Sequence, residues 1–149
     1  MIDILTDLLR EPLQKTIHRC VKFDVCCAVG LFQTARPHDI EIINEHIRTT
    51  DSVIPVDART SAVFYDYTDI GKARFAFFNL LNRFDFPSDR PVVGFTQVYD
   101  TDRSADSVIR RLYGILHDAR HRNLALLDDH GFMENHYADI VDFASLMTE

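Results

Sequence analysis

The hydrophobic residues of this chain recur at helical spacing in four separate stretches. In each stretch apolar side chains return every three to four residues, which places them on one face of a helix. Pro12 lies inside the first stretch and predicts a break there, because proline removes a backbone donor and clashes with the preceding turn. The predicted helices cover residues 3–19, 37–48, 70–84 and 104–119.

Four extended runs, rich in β-branched and aromatic residues, alternate with these helices. Residues 21–32 form a predicted central strand, and the runs at 52–56 and 61–67 form a predicted β-hairpin with a polar tip at 57–60. A fourth strand covers residues 92–99. Helices interleaved with a mostly antiparallel sheet predict an α+β fold in which helices pack on a central sheet.

The composition narrows the class of protein. With 149 residues, of which 46% are hydrophobic, the chain predicts one soluble domain with a single core. A net charge of −7 argues against a nucleic-acid partner, since binding to its phosphates needs an excess of Lys and Arg. No apolar run approaches the roughly 20 residues that a bilayer requires, so we expect no membrane insertion and a cytoplasmic location.

The chain has three cysteines, Cys20, Cys26 and Cys27. Their number is odd, and two of them are adjacent on a predicted strand, where neighbouring side chains face opposite ways. We therefore expect reduced core residues and not a disulfide framework or a metal site. The sequence predicts no cofactor.

Several short motifs share their order and spacing with one known family. Arg48 and Asp51 fit an R-x-x-D motif, and five residues separate it from the pentapeptide Asp-Ala-Arg-Thr-Ser at 57–61. The same number of residues separates R-x-x-D from the signature G-G-D-E-F in diguanylate cyclases, and this chain resembles that GGDEF family. Further matches lie at residues 3–8 (D-x-L-T-G-L), 28–33 (D-x-D-x-F-K), 92–94 (S-x-G) and 119–123 (A-K-x-x-G-R-N).

The resemblance implies a GGDEF or nucleotidyl-cyclase-like fold over residues 1–123. Its central sheet is expected to have five strands, mostly antiparallel and flanked by helices. Residues 124–149 are then a C-terminal helical extension, which packs on this domain or on a second copy. Within the degenerate signature, Asp57 and Ala58 stand where the family has paired glycines, and Ser61 stands where it has phenylalanine.

The resemblance also implies the loss of catalysis. Active members condense two GTP molecules with the help of two divalent cations, which need carboxylate ligands. Arg59 and Thr60 replace the acidic pair of the signature, and Ala28 and Gly30 replace the acids of the first strand. We therefore expect no catalytic residues and no synthesis of cyclic di-GMP.

Arg48 and Asp51 form the candidate ligand site, with cyclic di-GMP as the ligand that the resemblance implies. A guanidinium can donate to guanine or phosphate, and a carboxylate can accept from the guanine amino and imino groups. A structural explanation competes with this role, because an arginine at a helix C-terminus complements the helix dipole and pairs with nearby acids. Arg103 and Asp106 repeat the same spacing by chance.

Two features lie outside the motifs. His117 and His121 are four residues apart on the last long helix, a spacing that can chelate a transition metal, although a solvated helix face is the simpler interpretation. Phe75 and Phe78 fall off the apolar stripe of their helix and form a candidate patch for a protein partner.

The sequence therefore predicts a non-catalytic signalling domain with two candidate roles. In the first, the domain is a cyclic di-GMP receptor that uses Arg48 and Asp51. In the second, it is a protein-interaction or dimerisation module that binds no nucleotide. An enzyme with altered chemistry is a third alternative.

Overall fold

The computed structural model describes residues 1–84, 86 and 89–129. Its helices are α1 (Ile2–Phe23), α2 (Ile40–Glu45), α3 (Ile70–Leu81) and α4 (Ala105–His121), and one turn of 3-10 helix at Pro37–Asp39 precedes α2. Its strands are β1 (Cys27–Gln33), β2 (Ser52–Pro55), β3 (Thr60–Asp66), β4 (Val92–Val98) and β5 (Leu126–Leu127). Within these ranges, no helix is long and apolar enough to cross a bilayer.

The strands form one sheet in the order β2-β3-β1-β4-β5. The central strand β1 pairs antiparallel with β3 and β4, β2 pairs antiparallel with β3, and β5 runs parallel to β4. This confirms the predicted α+β fold with a five-stranded, mostly antiparallel sheet. The hydrophobic pattern located four of the strands.

The fifth strand lies beyond the predicted domain boundary at residue 123. Leu126 and Leu127 form β5 within the segment that was predicted as a helical extension, so the sheet continues past that boundary. A two-residue strand is too short to leave an alternating pattern in the sequence, and only its pairing with β4 identifies it. Residues 130–149, the rest of the predicted extension, lie outside the described residues.

Two hydrophobic cores lie on the two faces of the sheet. Because side chains alternate along a strand, Val29 and Leu31 of β1 pack with α1 and α4, whereas Ala28 and Phe32 pack with α2 and α3. Helix α4 buries the apolar positions that its periodicity predicted, which are Val108, Ile109, Leu112, Ile115, Leu116 and Ala119.

Helix α1 differs from its prediction in the middle and at the end. Pro12 lies inside a continuous helix, because the buried leucines on either side, Leu9 and Leu13, hold both halves against the sheet. The helix also continues to Phe23 and ends at Asp24, whose φ of 52° is left-handed. Residues 21–23 are therefore helical, and the first strand begins six residues later than predicted. A short apolar run fits a helix or a strand equally well, and packing decides between them.

Gly94 lets α4 approach β4 closely. A Cβ atom at this position would lie 2.7 Å from the backbone nitrogen of Leu116. Backbone cannot move aside as a flexible side chain can, so this strand position accepts only glycine without shifting the helix.

Candidate functional site

The degenerate signature lies at the tip of the β2–β3 hairpin. The backbone amides of Val56 and Asp57 donate to the Thr60 carbonyl at 2.9 and 3.1 Å. The Asp57 carboxylate accepts a hydrogen bond from the Arg59 amide at 2.9 Å, which fixes the turn locally. Asp57 therefore shapes the loop, while Ala58 and Arg59 are exposed at its end.

Three strand ends meet beside this tip. In the register of the sheet, Gln33 lies opposite Thr60 on one side and Val92 on the other. The Thr34 amide donates to the Arg59 carbonyl at 2.7 Å. We call this end of the sheet the hairpin edge and define it by Gln33, Thr34, Arg59, Thr60 and Val92.

Ala28 and Gly30 do not lie at the hairpin edge. Ala28 is opposite Tyr65, and it is six residues before Thr34 along the chain, a separation of roughly 20 Å at about 3.3 Å per residue. Residues so far apart cannot ligate one cation, so the predicted equivalence of Ala28 and Gly30 to metal ligands is in the wrong register. The residues beside the tip are Gln33 and Thr34, which likewise offer no carboxylate.

Ser61 replaces the aromatic residue of the signature and is fully buried. It lies opposite Phe32, on the strand β3 between β1 and β2. In the described part of the chain its hydroxyl has no hydrogen-bond partner. A polar group buried without a partner lowers the free energy of unfolding, so this position is a weak point of the hairpin.

Three arginines line a cavity at the hairpin edge. Arg59 comes from the turn, Arg90 from the segment before β4 and Arg120 from the last turn of α4, and the cavity of about 340 Å³ is also lined by Gln33 and Thr34. A neighbouring cavity of about 490 Å³ shares Arg90 and Arg120. No described residue with a carboxylate lines either cavity. This end of the sheet is therefore suited to an anion and unsuited to a divalent cation.

Arg48 and Asp51 are joined in a two-pronged ion pair. The Arg48 Nη2 atom lies 2.9 Å from Asp51 Oδ1, Nε lies 3.2 Å from Oδ2, and the Arg48 amide donates to Oδ2 at 2.9 Å. The hydrogen bond to Asp51 raises the pKa of the Arg48 guanidinium. Nη2 also donates to the Asp66 carbonyl at 3.1 Å and to the Thr68 hydroxyl at 2.5 Å. The motif thus ties the loop before β2 to the end of β3.

Burial separates the two members of this motif. The Asp51 side chain is 2% exposed, whereas that of Arg48 is 57% exposed. The carboxylate of Asp51 is occupied by Arg48, so it is not placed to accept from guanine. Helix α2 ends at Glu45, which puts Arg48 beyond its last turn and excludes the predicted dipole interaction as the reason for its position.

A buried polar cluster that the sequence did not predict surrounds Arg111 of α4. Its guanidinium donates to both carboxylate oxygens of Asp102 at 2.9 and 3.0 Å. It also donates to the Thr96 hydroxyl at 2.8 Å, and that hydroxyl donates to Asp129 at 2.6 Å. Asp129 further accepts from the Tyr99 hydroxyl at 2.7 Å. Burial, followed by this hydrogen bond, raises the pKa of Tyr99.

One signal in the sequence pointed to this cluster. Arg111 is three residues after Val108 and four before Ile115, so it lies along the apolar stripe of α4. A charged residue at such a position needs a buried partner. The partners themselves come from β4, the loop after it and the end of β5, and no local spacing identifies them.

The histidines and cysteines show no site of their own. His117 and His121 are exposed, and their rings stack with centroids 6.4 Å apart. Across the described residues, no group of three metal-ligating side chains forms. Cys20, Cys26 and Cys27 are free thiols. Burial and the neighbouring Asp66 raise the pKa of the Cys27 thiol, the opposite of what a nucleophile requires.

The sequence matches no protein-family model and no curated protein. The fold, however, is similar to solved GGDEF domains. That of DgcB from Caulobacter crescentus, in complex with c-di-GMP, superposes with a TM-score of 0.66 at 7% identity, over 80% of this chain and 85% of that one. That of FimX from Pseudomonas aeruginosa gives a TM-score of 0.67 at 10% identity, over 80% and 90%.

A third neighbour is the diguanylate cyclase SiaD from Pseudomonas aeruginosa, in complex with its activator SiaC. It gives a TM-score of 0.66 at 13% identity, over 82% of this chain and 57% of that one. Identities this low show the fold alone. The chain therefore has a GGDEF-like fold.

Proposed function

We propose that this chain is a non-catalytic signalling domain of GGDEF-like fold. The observation that carries the proposal is the charge of the hairpin edge, where Arg59, Arg90 and Arg120 line the cavity beside the signature position. Magnesium and manganese bind through carboxylate oxygens, and a fixed guanidinium repels them. The geometry favours a domain that binds a ligand or a partner over one that synthesises a nucleotide.

The test is an assay of the purified protein with GTP and magnesium or manganese, in which cyclic di-GMP is measured by chromatography beside an active cyclase. We expect no product above background. Product that disappears when the hairpin tip is mutated would show that the proposal is wrong.

We propose cyclic di-GMP as the first candidate ligand, bound through Arg48. In this chain Arg48 is the exposed member of the R-x-x-D motif and Asp51 is buried behind it. Arg48 is then the contact residue, and Asp51 positions it. The ligand-bound GGDEF domain of DgcB gives this candidate its precedent in the same fold.

Titration calorimetry with cyclic di-GMP tests this role. Arg48→Ala removes a charge-assisted donor worth on the order of 1.5–3 kcal/mol and should weaken binding at least about tenfold. Arg103→Ala is the matched control, because it breaks an R-x-x-D of equal spacing whose Asp106 pairs with Arg10 instead. Equal loss in both variants would indicate nonspecific charge attraction. No binding by the unmutated protein at high micromolar ligand would contradict the receptor role.

The second candidate role is protein interaction through α3. Phe75 and Phe78 are 70% and 50% exposed, and they are three residues apart on one helix surface. We expect Phe75→Ser with Phe78→Ser to reduce self-association or binding of a protein partner, measured by light scattering after size-exclusion chromatography. Phe23→Ser is the control, since Phe23 is equally exposed but lies at the end of α1.

A further inference from the structure

Most arginines with a structural role in this protein pair with an aspartate. In each of these pairs a guanidinium nitrogen lies within 4 Å of a carboxylate oxygen, and the arginines concerned are Arg10, Arg19, Arg36, Arg48, Arg74 and Arg111. Arg59, Arg90 and Arg120 differ from them. Their guanidinium groups make no hydrogen bond or ion pair with any residue in the described ranges.

These three side chains line one cavity although they are far apart in the sequence. Arg59 is on a turn held by the Asp57 carboxylate, Arg90 directly precedes the buried Pro91, and Arg120 is in the last turn of α4. Their backbone positions are therefore fixed by the sheet and the helix. In a chain with 23 acidic and 16 basic residues, a cavity lined by three cations and no described acid is the reverse of the overall charge balance.

The surroundings of the cavity reinforce its positive character. Arg120 also lines a neighbouring depression of about 330 Å³ together with His117 and His121, so two further nitrogen-bearing side chains adjoin the cluster. Gln33 and Thr34 add neutral polar groups to the cavity wall. A volume of about 340 Å³ lies within the range of small-molecule sites, which is roughly 300–1,000 Å³.

We propose that the hairpin edge is an anion site that binds a ligand carrying linked phosphates, and that it does so without a divalent cation. A guanidinium presents its donors in a fork that matches two phosphate oxygens, and it stays charged at every physiological pH. Three such groups match the several charges of linked phosphates better than the charge of a single phosphate. The arginines then neutralise the ligand themselves, so magnesium is not needed as a counterion.

The probe is inorganic tripolyphosphate, titrated by calorimetry into the full-length chain in EDTA at constant salt. We expect saturable binding, and we expect Arg59→Ala, Arg90→Ala and Arg120→Ala each to weaken it at least about tenfold. Arg110→Ala is the matched control, because Arg110 is an exposed arginine on the same helix as Arg120 and lines none of these cavities. Magnesium in excess should weaken binding, since it competes for the phosphate oxygens.

Three results would overturn the proposal. These are the absence of binding at millimolar tripolyphosphate, binding that requires magnesium, and an equal loss of affinity in Arg110→Ala, which would indicate general charge attraction. Circular dichroism confirms that each variant is folded. Arg48→Ala should bind the probe normally, because Arg48 contacts the end of β3 and the hairpin edge is at its beginning. Failure of this site and failure of the cyclic di-GMP role are therefore distinguishable.

Discussion

The two ends of the central sheet use arginine in opposite ways. At the hairpin edge, Arg59, Arg90 and Arg120 line a cavity and contact no described carboxylate. At the other end, which we call the paired edge, Arg48 and Arg111 are held by aspartates. The paired edge comprises Arg48, Asp51, Asp102, Arg111 and Asp129.

The difference is one of free energy. An arginine with a buried aspartate partner stabilises the fold, and its loss leaves a carboxylate without compensation. An exposed arginine without a partner contributes little to the fold and keeps its donors for a ligand. The residue type alone therefore does not indicate function, whereas its partners do.

The largest expected effect is at the paired edge. Arg111→Met leaves Asp102 and Asp129, both nearly buried, without their counter-charge. We expect the free energy of unfolding to fall by about 3 kcal/mol, measured by urea denaturation. Arg59→Ala at the hairpin edge is the comparison, and it should change stability by no more than about 0.5 kcal/mol. Similar losses in the two variants would remove the distinction between the edges.

An intermediate effect follows from pH. Burial raises the pKa of Tyr65, at the end of β3 that Arg48 contacts. The folded state therefore favours the neutral phenol, while the unfolded chain ionises at about pH 10. Stability should be complete below that pH and fall as pH rises above it, by about 1.4 kcal/mol for each pH unit that Tyr65 contributes.

Urea denaturation between pH 8 and 11 measures this loss, and Tyr65→Phe should flatten the curve. The Cys27 thiol, whose pKa is also raised by burial, adds a loss of the same sign in both proteins and cancels in the comparison. An identical alkaline slope in the two proteins would contradict the assignment to Tyr65.

The smallest effect is at the hairpin. Ser61→Ala removes a buried hydroxyl that has no partner in the described part of the chain. We expect a gain of about 1 kcal/mol in the free energy of unfolding, without loss of tripolyphosphate binding. A loss of stability would mean that the hydroxyl has a hydrogen-bond partner, such as a buried water molecule.

Local sequence determined the helices, the hairpin and the class of fold. The buried faces of α3 and α4, the turn at residues 57–59 and the exposure of Phe75 and Phe78 all follow from spacing along one segment. Periodicity and turn chemistry act between residues close in the chain, so they can be read from it. The R-x-x-D spacing likewise located Arg48 and Asp51, which the structure joins.

Only the tertiary structure decided the register of β1, the strand β5 and the partners of each arginine. Residues 21–23 joined α1 because packing against the sheet continued the helix, and this shift placed Gln33 and Thr34, not Ala28, beside the hairpin tip. Arg59, Arg90 and Arg120 meet because strands and helix pack together, although about 30 residues separate each from the next. Contacts between distant segments depend on the whole set of strand pairings, and no single segment of sequence contains them.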